Sequence, residues 1–208
     1  MWQITKIELF KIFKKPRTYI AFGVIAAIIF LVQLSLYADG DAYLELMMHP
    51  LNNAFNIEGK MLNGYFVFFL ILQTLLVHVP LLISLVAGDM IAGEANMGTL
   101  RLLVSKPISR TKLLGSKFSA ASIYTILLLT FMALLGLFGS ILIFGTSDLM
   151  IFKSDMLILF EQNDVLWRFF ATYGFAALSM LTVTSLAFLF SVFACYSKQK
   201  QKIKMRVM

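Results

Sequence analysis

Long apolar stretches alternate with shorter polar ones along the 208 residues of the chain. Four stretches carry almost no charge over about 20 residues or more, the length of helix that crosses the roughly 30 Å hydrocarbon layer with its backbone hydrogen bonds satisfied. They predict membrane spans at residues 18–38, 65–88, 118–144 and 168–194. The sequence therefore predicts an all-α fold, a polytopic bundle of about four transmembrane helices that forms one membrane domain over residues 1–208.

Residues 1–17 precede the first span and show the period of a helix that lies on the membrane surface. Apolar side chains fall mainly on one side of the helix and charged ones on the other, although Lys6 and Ile4 are exceptions. The apolar side holds Trp2, Leu9 and Phe13, flanked by Phe10 and Ile12, and the other holds Glu8, Lys11, Lys14 and Lys15. A basic amphipathic helix suits an anionic leaflet, and Pro16 is expected to end it.

Polar segments separate the four predicted spans. Asp39-Gly40-Asp41 is expected to break the first span, and acidic outer loops are predicted at residues 39–64 and 145–167. The apolar patch at 156–160 suggests that part of the second loop lies on the membrane surface. A charged segment, 89–117, follows the second span, and a basic tail, 195–208, follows the fourth.

The charge distribution predicts which side of the membrane each segment occupies. The chain is 60% hydrophobic and only 14% charged, with a net charge of +7. That charge would suggest a nucleic-acid partner for a soluble protein, but 15 of the 18 Lys and Arg residues lie in 1–17, 89–117 and 195–208. The positive-inside rule then predicts that both termini and the central segment are cytoplasmic, in the inner or plasma membrane. No nucleic-acid partner is expected.

The sequence contains no motif of an enzyme active site. It lacks the GxxxxGK[ST] phosphate loop, HExxH and Gly-x-Ser-x-Gly, so ATP binding by a phosphate loop is not expected, and no cofactor is predicted. The single cysteine, Cys195, excludes an internal disulfide, and a metal cluster is not expected. The acidic loops lack EF-hand spacing. An intramembrane enzyme is the least favoured interpretation, because no span contains a catalytic pair.

Polar residues inside the spans have two open interpretations. Gln33, Gln73 and His78 either form hydrogen bonds between packed helices or line a substrate or proton path. Gly136 and Ser140, four residues apart, permit close helix approach. The fourth span carries hydroxyl residues that are expected to bond back to their own helix: Thr172, Ser179, Thr182, Thr184 and Ser185.

The segment from Gly88 to Arg110 combines charge with large apolar side chains. Asp89 and Glu94 lie just beyond the second span, and Glu94 and Arg101 share one side if the segment is helical. Exposed leucines in such a helix would require a partner, whereas the alternative interpretation is a solvated loop. Lys106-Pro107 is expected to end the helix.

These residues resemble the permease subunits of ABC-2 type transporters, the membrane halves of a class of bacterial ATP-driven exporters. The matching runs are Ala87–Glu94, Gly98–Leu103 and Lys106–Arg110. They follow the family's pattern of an acidic residue, Gly-Glu, Gly-Thr-Leu, a leucine pair and Pro-x-Ser-Arg after the second span. Glu8–Arg17 also resembles the family's start, where an interfacial helix leads into a basic turn.

The resemblance implies a permease that couples ATP hydrolysis by a separate nucleotide-binding subunit to export of a substrate. It also implies that the segment after the second span is the coupling helix, and that two permease copies, identical or paralogous, pair in the lipid membrane to form the path. The residues it assigns to ATPase coupling are Asp89, Glu94, Gly98, Thr99, Arg101, Pro107 and Arg110.

The predicted span count differs from that of the family, whose members typically have six spans. The lysine-rich residues after Cys195 do not have the composition of a fifth span. They predict either a naturally short permease or a truncation near residue 195. The alternative function is therefore a non-transporting scaffold or a truncated permease remnant. No residue pattern selects a substrate.

Overall fold

A computed structural model describes residues 2–48, 62–96, 109–153 and 156–207. In chain order the elements are α1 (Trp2–Lys14), α2 (Pro16–Met48), α3 (Gly64–Asn96), α4 (Arg110–Phe144), β1 (Leu149–Lys153), β2 (Met156–Phe160) and α5 (Gln162–Val207). Four helices contain stretches long and apolar enough to cross a membrane: Pro16–Leu46, Gly64–Ala95, Thr111–Phe144 and Asp164–Ala194. The described chain is therefore an all-α, polytopic membrane bundle, as the sequence predicts, with one β-hairpin added.

The first spanning helix does not end where the sequence predicts. At Asp39 the backbone leaves helical geometry, with φ −128° and ψ 26°, but α2 resumes and continues to Met48. The expected break is thus a kink. Residues 42–48 are mostly Ala, Leu, Glu and Met, which favour helix strongly enough to continue it after the Asp-Gly-Asp interruption.

The helices on either side of the charged segment are also longer than the predicted spans. α3 has 33 residues and α4 has 35, so each measures about 50 Å at 1.5 Å per residue. The hydrocarbon layer is about 30 Å thick. Each helix therefore extends well beyond it, and Asp89 and Glu94 belong to the same continuous helix as the second span.

The segment predicted as the second outer loop contains a β-hairpin that the sequence analysis did not predict. β1 and β2 pair antiparallel, with Leu149 opposite Phe160 and Lys153 opposite Met156. Each strand is a run of five residues in which four or all are apolar. Hydrophobic period cannot separate such short runs from other buried or interfacial segments, which explains the omission.

The chain divides into two compact units. We call Met1–Phe22, His78–Leu129 and Ala176–Met208 the charged unit, and Gly23–Val77 with Thr130–Phe175 the hairpin unit. The four long helices, α2 to α5, each contribute residues to both units, whereas α1 lies in the charged unit. The two units are described separately below, because they are stabilised by different kinds of contact.

Small residues and neutral hydrogen bonds hold the hairpin unit together. A Cβ added at Gly64 would lie 2.8 Å from backbone atoms of Ser140, Ile141 and Gly145, and one added at Gly136 would lie 2.9 Å from the Phe68 ring. The close approach that small residues on α4 predict is therefore present. Gly64 also donates its N–H to the Gly145 carbonyl at 2.9 Å.

Asn63 connects the start of α3 to the segment that leads into the hairpin. Its Oδ1 accepts from the Phe66 N–H at 2.8 Å, which caps the helix. Its Nδ2 donates to Ser147 Oγ at 2.9 Å and to the Asp148 carbonyl at 2.6 Å. Beside this cap lies an apolar core centred on Tyr65 and Phe66. The hairpin is thereby anchored on α3 by both polar and apolar contacts.

Candidate coupling site

Helix α1 buries one face against the rest of the charged unit. Thr5, Glu8 and Ile12, spaced three and four residues apart, are its buried residues. Trp2 and Phe10 are exposed instead, and the ammonium group of Lys6 lies 5.5 Å from the centroid of the Trp2 ring. The predicted contact of the apolar side with the membrane stays a prediction, and the face that packs against the protein contains a carboxylate with buried partners.

Four charged side chains from three helices form the centre of the site, which we call the ion cluster: Glu8, Lys11, Glu94 and Lys117. The Lys117 ammonium group lies 2.6 Å from Glu8 Oε2 and 2.7 Å from Glu94 Oε2. Lys11 lies 2.8 Å from Glu8 Oε1 and 3.3 Å from Glu94 Oε1. Each carboxylate is therefore shared by both lysines. The two acids and two bases balance, which is the condition for burying charge at tolerable cost.

The ion cluster is closed to water on the Lys117 side. The side chain of Lys117 is 2% exposed, those of Glu8 and Glu94 are 4% and 9% exposed, and Lys11 is 38% exposed. Burial raises the pKa of Glu8, but hydrogen bonds from Lys11 and Lys117 outweigh it and bring the pKa below its usual 4.5. Burial lowers the pKa of Lys11, but Glu8 and Glu94 outweigh it and bring the pKa above its usual 10.5.

Asp89 forms a second, more exposed set of ion pairs one turn earlier on α3. Its Oδ2 accepts from Lys15 at 2.9 Å and its Oδ1 accepts from Arg17 at 2.8 Å. Lys15 lies in the turn between α1 and α2, and Arg17 is the second residue of α2. Helix α1 ends at Lys14 and α2 begins at Pro16, as the sequence predicts, and this tight turn directs both cations towards α3.

Ser191 of α5 contacts the α3 backbone between these two sets of charges. Its hydroxyl donates to the Gly88 carbonyl and accepts from the Ala92 N–H at 2.9 Å. A regular helix pairs these two backbone groups with each other, since they are four residues apart. A side chain that bridges such a pair is one cause of local helix bending.

The structure describes some of the predicted coupling residues and not others. Asp89 and Glu94 lie in the ion pairs above, and Arg110 is the first residue of α4. Gly98, Thr99, Arg101 and Pro107 lie outside the described residues, so the predicted pairing of Glu94 with Arg101 on one side stays a prediction. The described ends of this segment are Asn96 and Ser109.

The polar residues of the spans have separate environments. Gln33 is buried and donates to Ser140 Oγ at 3.2 Å and to the Gly136 carbonyl at 3.5 Å, which is a contact between packed helices. Gln73 lines a cavity in the hairpin unit. His78 has an exposed side chain on α3. Gln33 thus has a packing role in this structure, and Gln73 faces a cavity.

The expected back-bonding of hydroxyls on the fourth spanning helix is confirmed at four of five positions. Thr172, Thr182, Thr184 and Ser185 donate to carbonyls three or four residues earlier on α5. Thr184 additionally meets Thr125 Oγ1 of α4 at 2.9 Å. These hydroxyls are therefore satisfied within the protein.

Sequence reasoning did not identify Lys117, Glu8 or Ser191 as site residues. Two signals were present. Glu8 is the only acid among the first 17 residues, and Lys117 immediately precedes an apolar stretch that begins at Phe118. A charge in either position requires a partner, but the partner is distant in sequence and the pattern does not reveal it.

Comparisons with known proteins agree with the membrane architecture. The sequence profile of a family described as "ABC-2 family transporter protein" matches residues 2–205. Over 113 residues the chain is 30% identical to the uncharacterized protein YhcI of Bacillus subtilis (strain 168), a stretch that covers 51% of this chain and 35% of that protein. The chain therefore spans about a third of the length of this curated relative. No solved structure matches the chain significantly.

Proposed function

The chain belongs to the ABC-2 family of transporter proteins, and from that premise we propose that its ion cluster couples a separate ATPase subunit to the spanning helices. The family and the four apolar helices make the chain a multi-pass membrane permease of an ABC transporter. The further steps of the proposal are ATP-driven export of a substrate, both termini in the cytoplasm, and pairing with a second permease copy.

One observation carries the coupling proposal. Glu94 lies two residues before the end of α3 and Lys117 lies seven residues after the start of α4, and the two side chains are 2.7 Å apart. The pair therefore joins both ends of the segment that the family resemblance assigns to ATPase contact. A force applied to that segment would act on one junction that includes α1, rather than on two independent helices.

This arrangement changes the role proposed for Glu94. Its buried carboxylate forms ion pairs with Lys11 and Lys117, so we assign it to transmission within the permease. Direct contact with the ATPase is assigned to the segment around Arg101. Asp89, with its pairs to Lys15 and Arg17, would hold the start of α2 to the same junction.

The test is co-expression of the full chain with its ATP-binding subunit, followed by co-purification and measurement of ATPase activity in proteoliposomes. We expect Glu94→Gln to retain the complex but to weaken the nucleotide-dependent change in the spans, because one carboxylate of the junction is neutralised. Asp41→Asn, which neutralises an exposed carboxylate on α2 in the hairpin unit, is the matched control and should behave as wild type.

Two outcomes would contradict the proposal. If Glu94→Gln leaves a demonstrated complex fully active, the coupling role of the ion cluster is wrong. If the wild-type chain binds no ATPase subunit, or shows no nucleotide-dependent change in its spans, the scaffold or remnant function is favoured instead. Spin labels at exposed positions of α3 and α4 would measure that change.

A further inference from the structure

A cavity of about 530 Å³ lies in the hairpin unit between α3, α5 and the hairpin. Aromatic and aliphatic side chains, among them Phe69, Leu76 and Phe175, form most of its wall. This volume and this lining are those of a site that binds a small molecule. The polar side chains of the wall are Gln73, Arg168 and Thr172, and Thr172 already donates to the Arg168 carbonyl.

Gln73 and Arg168 offer hydrogen-bond donors that the described part of the chain does not use. Gln73 lies nine residues into α3, about 14 Å along the helix, and no described residue forms a hydrogen bond with its carboxamide. An amide at this depth is costly unless it is paired. Arg168 uses its Nε to bond Asp164 Oδ2 at 2.6 Å, which leaves both terminal nitrogens without a bond to the described residues.

The guanidinium of Arg168 is held in position at the hairpin end of the cavity. Its central carbon lies 4.6 Å from the centroid of the Phe160 ring, and its Nε is paired with the Asp164 carboxylate. A guanidinium oriented in this way presents a planar pair of donors that matches a phosphate. Phe175 lies seven residues further along α5, so the apolar wall continues for about 10 Å beyond the cation.

The charges near Arg168 indicate which kind of phosphate-containing headgroup the cavity favours. Asp164 is half exposed and adjoins the guanidinium. Glu161 lies between the hairpin and α5, and Asp148, which precedes the hairpin, accepts from the Gln162 N–H at 3.0 Å. One cation and several carboxylates disfavour a headgroup with net negative charge. They favour a headgroup that carries a phosphate and an ammonium group together.

We propose that this cavity binds a zwitterionic phospholipid with a primary ammonium group, of the phosphatidylethanolamine class. One acyl chain occupies the apolar cavity, and the phosphate accepts hydrogen bonds from the terminal nitrogens of Arg168. The ammonium group donates to the carboxylate of Asp164. An ester carbonyl accepts from Gln73, whose carboxamide has no hydrogen-bond partner among the described residues.

The experiment is native mass spectrometry of the full chain in detergent, with equimolar phosphatidylethanolamine, phosphatidylglycerol and phosphatidylcholine that carry identical acyl chains. It requires no ATPase subunit, so its result does not depend on the proposed coupling function. We expect phosphatidylethanolamine to be retained about tenfold over the other two lipids, the effect of one hydrogen bond to a charged group. Equal retention of the three lipids would overturn the proposal.

Variants test the headgroup contacts and the acyl-chain cavity separately. Asp164→Asn should abolish the preference for phosphatidylethanolamine over phosphatidylglycerol, and Arg168→Gln should weaken the binding of all three lipids about tenfold. Ala171→Phe should block the cavity, whereas Leu142→Phe adds the same ring at an exposed position outside it and should bind lipid as wild type.

The remaining outcomes also decide the proposal. Gln73→Leu preserves the size of the cavity wall and should still lower lipid retention, which keeps the test valid if Ala171→Phe fails to fold. Unchanged retention in Gln73→Leu and Ala171→Phe would show that lipid binds elsewhere. If Ala171→Phe instead converts a dimer to a monomer without lipid loss, a second copy of the chain occupies the cavity and the proposal is wrong.

Discussion

Different kinds of contact pack the long helices in the charged unit and in the hairpin unit. In the charged unit, Glu94 and Lys117 join two helices through a short ion pair that also includes α1. In the hairpin unit, Gln33 meets Ser140 through a neutral hydrogen bond, and glycines allow close approach. Ion pairs depend on protonation and on every partner being present, whereas small-residue packing depends mainly on shape.

This difference suggests where the chain can respond to a signal. A balanced cluster of buried charges is strongly destabilised when one member is changed or displaced. A contact lined by glycines contains no charge whose change or displacement would destabilise it in this way. Four predictions test the contrast, from the largest expected effect to the smallest.

The largest effect is expected at Lys117. Lys117→Met removes the buried cation that Glu8 and Glu94 share, and loss of one partner of a buried ion pair costs about 3–5 kcal/mol. Denaturant unfolding in detergent micelles measures the loss. Adding Glu94→Gln to Lys117→Met should recover part of it, since one of the two carboxylates that lose the Lys117 ammonium group is then neutral. A Lys117→Met protein as stable as wild type would show that the ion cluster does not stabilise the charged unit.

The next effect is expected in the hairpin unit at Gly64. Gly64→Ala places a Cβ 2.8 Å from backbone atoms of α4 and Gly145, which cannot move as a side-chain tip can, and overpacking of this kind costs about 1–3 kcal/mol. The control is Gly23→Ala, where no atom lies within 4 Å of the added Cβ. That change should be neutral or stabilise the helix by up to about 1 kcal/mol. Equal effects in the two variants would contradict the close-packing interpretation.

A smaller effect is expected for the neutral hydrogen bond of Gln33. Gln33→Met keeps the length of the side chain and removes the donor to Ser140 Oγ, and such bonds between membrane helices average about 0.6 kcal/mol. A double-mutant cycle with Ser140→Ala measures the coupling. A coupling energy as large as the Lys117 effect would remove the distinction between the two units.

The smallest effect is expected from pH, and only in the charged unit. The pKa of Glu8 lies below 4.5, so its contribution to stability is complete above that pH and is lost as pH falls through the lowered pKa. The pKa of Lys11 lies above 10.5, so its contribution is complete below pH 10.5 and is lost as pH rises through the raised pKa. The chain has two tryptophans, and Trp2 in a Trp167→Phe background reports on α1.

The matching control uses the other tryptophan. Trp167 lies in α5 near the hairpin, and in a Trp2→Phe background its emission should stay constant over the pH range in which Trp2 changes. A parallel change of both emissions would indicate general unfolding and would contradict the assignment of the pH response to the ion cluster.

The sequence was most informative where a single segment determines its own structure. Four apolar stretches predict the spanning helices, and Pro16 predicts the end of α1, because length and local sterics suffice. The kink at Asp39 was predicted as an end, since the strong helix formers after it outweigh the local break. The hairpin was missed because five-residue apolar runs have no distinctive period.

The candidate site could be predicted only in part, because its key contacts join distant residues. Asp89 and Glu94 are recognisable as charges just beyond a span, but their partners come from α1, the turn after it and α4. Lys117 lies 109 residues from Glu8. Helix packing decides which lysine contacts a given carboxylate, and no local sequence pattern contains that information.

The contact of Ser191 with α3 has a mechanical consequence. The stiffness of a helix comes from its ladder of backbone hydrogen bonds, and at Gly88 and Ala92 the Ser191 hydroxyl provides an alternative partner for both groups. Bending there would expose no unpaired backbone group to the membrane interface. α3 can therefore bend at this point, and the residues from Ala92 to Asn96, which include Glu94, would move together with such a bend.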